Sequence, residues 1–158
     1  MVNMTVFVKS ASMALFFMVA FASASLALDS FRNGQAVIET ASGRQHVLQV
    51  EYAVTTAERE QGLMGRTSLG PDEGMVFDFD RAQQAIMWMK NTPLSLDMLF
   101  VDEKGVVKHI ASKTTPYSEQ LIPSGGMVRY VIELNGGRAE ALGIQNGSRF
   151  LKGLQPPK

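Results

Sequence analysis

Around the sole tryptophan of the chain, Trp88-Met89-Lys90-Asn91-Thr92-Pro93 runs on into Leu94-Ser95-Leu96-Asp97, so a lysine and an aspartate stand inside otherwise apolar, strand-like runs. A Lys90–Asp97 charge pair beside the Trp88 ring could grip a small polar ligand. The same residue types also serve turns, since Asn and Asp side chains bond to nearby backbone and buried main-chain groups need partners. Arg66 and Glu73 flank a second turn, Gly70-Pro71, and carry the same two readings. The candidate ligand-binding set is therefore Trp88, Lys90, Asn91, Thr92, Asp97, Arg66 and Glu73.

Other chemistries find less support. General acid–base catalysis needs titratable groups in mutual reach, and the two histidines, His46 and His109, stand far apart, each at or inside a strand-like run. There is no Gly-x-Ser-x-Gly elbow and no His-Glu-x-x-His zinc motif. Asp97, Glu73 and Glu133 are the carboxylates that a hydrolase of the glycosidase type would pair, which makes an exported hydrolase the runner-up function. The 10 methionines raise a minor third reading. Thioethers at Met87, Met89 and Met98 suit Cu(I), although methionine is also an ordinary filler of cores. With no cysteines, disulfides, thiolate catalysis and cysteine-ligated zinc or iron–sulfur centres are excluded. Lys and Arg number 15 against 15 Asp and Glu, which gives no electrostatic reason to expect nucleic acid or anionic lipid as a partner. No resident metal or cofactor is expected, and binding is expected ahead of catalysis.

The elements that must hold these side chains are mostly strands. Alternation puts Leu48, Val50 and Tyr52 on one face of a strand over 47–53, and Met75, Phe77 and Phe79 on one face over 75–79. Further runs fall at 85–90, 96–101, 106–110, 127–134 and 148–151, with a short one at 36–40. The runs over 85–90 and 96–101 are apolar on both faces, as for strands covered on both sides. If they pair as a hairpin, Lys90 faces Asp97, Met89 faces Met98, Trp88 faces Leu99 and Met87 faces Phe100. Thr55 stands three residues before Glu58, the spacing of a capping box, and predicts a helix over 56–65. Asn135 and Gly143 bracket a second, over 136–142. Residues 114–126, with Pro116, Pro123 and Gly125-Gly126, read as a long loop. The sum is one mostly β (β-rich α+β) domain of about eight strands and two short helices.

Four ordered blocks also carry a resemblance: Gly62-Leu63-Met64-x-Arg66, Glu73-Gly74-Met75-x-Phe77-x-Phe79, Trp88-Met89-Lys90-Asn91-Thr92, and Leu96-Asp97-x-x-Phe100-x-Asp102-x-x-Gly105. Together they resemble the successive signatures of the Domain of Unknown Function 192 family, from Val47 to Leu151. The resemblance implies a compact jelly-roll-like sandwich or barrel, often behind an export signal, with no assigned reaction. Here Pro93 follows Thr92 directly, where family members commonly carry Ile-Pro.

Residues 1–27 read as such a signal: Lys9 precedes an apolar run over 11–22, and Ser25-x-Ala27 has the small-x-small form of a signal-peptidase site. About 12 apolar residues fall short of the ~20 that span a bilayer. A secreted or periplasmic chain is expected, with no stable membrane insertion once the signal is cut. Residues 28–46 are expected as a flexible segment with a peripheral strand, 47–151 as the domain and 152–158 as a disordered tail. The expected partner is an unknown small molecule or an envelope protein. Protein recovered from the cell envelope should begin at Leu28, and an intact mass retaining residues 1–27 would contradict this.

Overall fold

The computed structural model describes residues 31–158, and the expected export signal lies outside the described residues. The elements follow as β1 (Arg32–Glu39), β2 (Gln45–Ala53), α1 (Thr56–Gln61), β3 (Glu73–Met87), β4 (Leu96–Val101), β5 (Val107–Ala111), β6 (Ile122–Asn135), α2 (Arg138–Leu142) and β7 (Arg149–Lys152). The mostly β class expected from sequence is the class observed. All strands among the described residues belong to one 7-stranded sheet, ordered β5-β4-β6-β3-β2-β1-β7. The sheet curls into a half-barrel, and its two outer strands approach where Val106 bridges Arg149 and the Phe150 N–H donates to the Gly105 carbonyl at 2.8 Å. A single curled sheet thus stands where the sandwich alternative would need two stacked ones.

Among the described residues the only parallel pair is β2 with β3. Parallel neighbours need a crossover connection, and α1 lies in that connection. Strand alternation then splits the core in two. Val76, Leu99, Ile132 and Leu134 point inward to a cluster shared with Leu142 of α2 and Phe150 of β7. Met75, Phe77, Met98, Phe100 and Val131 point to the opposite face and join Leu63 and Met89 in a second cluster. All six residues of β4 are buried, so the sheet is covered on both faces, as the unbroken apolar runs required.

Several expectations are corrected. The runs over 75–79 and 85–90 are one strand, β3, and the turn placed at Asp80-Arg81-Ala82 is an irregularity within it. Register passes there from Asp78↔Tyr130 to Gln83↔Val128. Asp80 takes φ 69° and its N–H donates to Asp78 Oδ1 at 2.8 Å. Arg129 of β6 closes on the same carboxylate with bonds of 3.0 and 3.1 Å. This local network holds the bulge so that the strand resumes instead of reversing.

The hairpin between 85–90 and 96–101 does not form. With 14 residues, β6 is long enough to give one edge to each run. Met87 pairs with Ile122, whereas Met98 pairs with Glu133 on one side and Ala111 on the other. Lys90 and Asp97 are therefore not cross-strand partners. β1, expected as peripheral, lies between β2 and β7. The loop expected over 114–126 is shorter, because β6 already begins at Ile122. The tail expected from 152 onward is tied down at its start: the Gly153 carbonyl accepts from the Tyr52 hydroxyl at 3.0 Å, and Leu154 packs on the inner cluster.

Asp97 has a different task from the one its charge suggested. Its side chain is fully buried on the inner face. Oδ1 accepts the backbone N–H of Lys113 at 2.7 Å and of Gly137 at 3.0 Å, and Oδ2 accepts that of Ala139 at 2.8 Å. One carboxylate thus ties β4 to the chain leaving β5 and to the first turn of α2, whose free N–H groups attract negative charge. Asp97→Ala should lower unfolding free energy by about 2–4 kcal/mol, because it strands buried donors. Lys90→Ala should cost about 1 kcal/mol or less. Urea denaturation of both variants checks this, and similar losses would contradict it.

Candidate functional site

A cavity of about 300 Å³ opens between α1, β3 and β6. Its roof is set by local chemistry. Thr55 caps α1, its hydroxyl accepting the Glu58 N–H at 3.2 Å while the Glu58 carboxylate accepts the Thr55 N–H at 2.7 Å, which is the expected capping box. The helix stops earlier than expected, at Gly62. There φ is 45° and an added Cβ would lie 3.1 Å from the Phe77 ring, so the early stop and the close packing of Phe77 share one requirement for glycine. Arg59 lies across Phe79, 5.6 Å from the ring centroid, with its guanidinium on the carbonyls of Val54 and Asp78.

The opposite wall is the segment that leaves β3. The Gly65 N–H donates to the Asn91 carbonyl at 2.9 Å, joining this wall to the turn after α1. Asn91 takes φ 54°, and the Thr92 hydroxyl donates to the Lys90 carbonyl at 3.1 Å. These are turn bonds. Trp88, 43% exposed, stands at the cavity with the Lys90 ammonium 5.1 Å from its ring centroid. A cation over an exposed ring is worth about 0.5–1 kcal/mol.

Glu133 also lines the cavity, from near the C-terminal end of β6. It is 4% exposed and pairs across the sheet with Met75 on β3 and Met98 on β4, both fully buried. Burial pushes its carboxyl up to about 8, with no hydrogen bond or neighbouring charge drawing it down. At neutral pH it therefore holds a proton inside a largely apolar recess.

The structure divides the sequence-derived candidates among three places. Trp88 and Thr92 line the cavity, and Lys90 and Asn91 belong to the same turn. Arg66 and Glu73 line a separate, more polar depression with Glu51, to which Arg66 is paired at 2.5 Å. Glu73 accepts the Gly70 N–H at 2.7 Å. Asp97 lies beneath α2. Of the three carboxylates considered for hydrolysis, only Glu133 lines the cavity. His46 and His109 sit on β2 and β5, with three strands of the sheet order between them. Of the thioethers considered for Cu(I), Met89 and Met98 are buried in the outer cluster, and the Met89 sulfur accepts from the Thr114 hydroxyl at 3.2 Å.

Glu133 was weighed in sequence only as a hydrolase carboxylate. Its signal was a lone acid in the apolar run Val131-Ile132-Glu133-Leu134 of a strand covered on both faces. Leu63, Met64, Phe77 and Phe79 were assigned to the helix and the core strand, and three of the four family-like blocks in fact meet at this cavity.

The family model for Domain of Unknown Function 192, described as "Uncharacterized ACR", matches residues 37–151. Among solved structures, the fold is similar to a protein from Sinorhizobium meliloti 1021, provisionally named a transcription regulator, at 46% identity and TM-score 0.76 over 77% of this chain and 94% of that one. It is also similar to a protein of unknown function from Novosphingobium aromaticivorans DSM 12444, at 37% identity and TM-score 0.75 over 80% and 89%. Among curated proteins nothing matches.

The raised Glu133 carboxyl fixes a pH dependence. Between the ordinary value of 4.5 and about 8 the folded chain keeps a proton that the unfolded chain has released. Stability from this group is therefore fully present below about 4.5 and is lost as pH rises through about 8. Glu133→Gln cannot ionise. It should gain on the parent as pH rises from about 5 to about 9, by on the order of 4 kcal/mol. Urea denaturation at both values tests this, and parallel pH profiles would contradict it.

Proposed function

Because the chain belongs to the Domain of Unknown Function 192 family, whose description assigns no reaction, we propose from its geometry an exported binding module that takes a small, largely apolar molecule into the cavity between α1, β3 and β6. The observation that carries the proposal is Glu133, an ionisable side chain without a partner among the described residues, in a concave, mostly apolar recess. A packed hydrophobic residue would serve folding better at that position, so its presence points to use. Recesses of roughly 300–1,000 Å³ with few polar groups are the usual form of small-molecule sites. The lining from Gly62-Leu63-Met64, Phe77, Phe79, Trp88 and Thr92 belongs to the same blocks that identify the family.

The hydrolase reading loses the two partners it named for Glu133, since Asp97 is spent on backbone donors and Glu73 lies in the other depression; the other carboxylate at the cavity, Glu60, is exposed on α1. A protein-interaction surface has exposed Ile86 and Met127 behind it, but Ile86 lines the same cavity and Met127 borders a different depression, with Lys108 and His109. The transcription-regulator name of one relative is not carried over, because the balanced charge of 15 against 15 supplies no electrostatic footprint for DNA. Export rests on the signal-like residues 1–27, and the periplasm or exterior is the proposed location.

Trp88, the sole tryptophan, reports on the cavity directly. Titration with benzyl alcohol should change its emission saturably, with a dissociation constant in roughly the millimolar range. Backbone amide shifts should move around Gly62–Met64 and Phe77. Absence of a saturable response to both benzyl alcohol and benzylamine would overturn the binding proposal.

A further inference from the structure

We infer that the cavity selects a ligand bearing a protonated amine on an apolar body, the ammonium docking on Glu133 and the body lying among Phe77, Phe79 and Trp88. The inference rests on the binding proposal above and names the ligand class. Glu133 is held in place by the sheet: β6 is bonded along both edges, and Met75 and Met98 stand on either side. Close approach of β3 reinforces this, since an added Cβ at Gly74 would lie 2.6 Å from the Glu133 carbonyl oxygen.

Among the described residues no countercharge faces Glu133. Met75 and Met98, the cross-strand neighbours, do not ionise. Arg59 and Glu60 of α1 also line the cavity, but the Arg59 guanidinium is engaged by the Val54 and Asp78 carbonyls and the Thr56 hydroxyl. Glu60 is exposed and carries the same sign as Glu133. Lys90 lies over the Trp88 ring. Neither basic group contributes to the Glu133 carboxyl, whose behaviour is set by burial alone. A cation entering the recess would meet a carboxylate with no competing partner, and aromatic faces that attract positive charge.

Binding of an ammonium requires Glu133 to give up its proton to solvent, so affinity for the amine should rise with pH. A neutral ligand that accepts a hydrogen bond from the protonated carboxyl would show the reverse. The test compares benzylamine with benzyl alcohol, which share one body, on the full mature chain and on Glu133→Gln, by Trp88 emission and amide shifts. The expected result is at least about tenfold tighter binding of benzylamine near pH 8.5, with its affinity rising about tenfold per pH unit from about 6 to about 8. Glu133→Gln should abolish both features while retaining benzyl alcohol binding, which shows an intact cavity. Equal affinity of the two probes would overturn the ligand class and leave the binding proposal standing. Amine preference that survives Glu133→Gln would overturn the role of Glu133. If neither probe binds, both proposals fall.

Discussion

β6 is hydrogen-bonded to β3 along one edge and to β4 along the other, and both of its faces are covered. Alternation obliges Tyr130, Ile132 and Leu134 to face the inner cluster, which leaves Val131 and Glu133 facing the outer one. A one-residue slip would carry Glu133 into the inner cluster and Ile132 and Leu134 out of it, so burying the apolar set inward fixes Glu133 on the outer face. The placement of an acid under α1 is therefore a consequence of the same pairing that builds the sheet. It also divides the two central runs, since β6 occupies the position where each would otherwise meet the other.

Two buried carboxylates show how environment assigns different work to similar groups. Asp97 receives three backbone N–H groups at the junction of β4, the chain beyond β5 and α2. Such bonds make the residue a clasp between three segments of chain. Glu133, one strand over and on the opposite face, receives none, and burial raises its carboxyl to about 8. A clasp is satisfied within the fold, whereas an unpartnered acid bordering a cavity has its full bonding capacity left for something that enters. This difference, and not acidity as such, separates architecture from site.

Local signals in the sequence were legible where they rested on local physics. The capping box at Thr55, the left-handed stop at Gly143 and the alternation of Met75, Phe77 and Phe79 all appear in the structure. The mostly β class followed from them. Partnerships between distant strands were not legible: opposite charge at Lys90 and Asp97 suggested a hairpin, but nothing in either run revealed that a later strand would come between them. Asp80-Arg81-Ala82 misled for a related reason, because a polar trio reads the same as a turn or as a bulge held by Asp78 and Arg129. Of the site, the sequence showed Trp88 and Thr92 but set them with Asp97, Arg66 and Glu73, whose partners lie elsewhere.

The most direct test of Glu133 as the unpartnered centre of the cavity is an NMR titration of its side-chain carboxyl carbon, with and without saturating benzylamine. The free protein should show an inflection near 8, and the amine should move that inflection to lower pH, because the bound cation favours the carboxylate. An inflection in the ordinary carboxylate range near 4.5, unmoved by the amine, would contradict both the isolation of the group and its use.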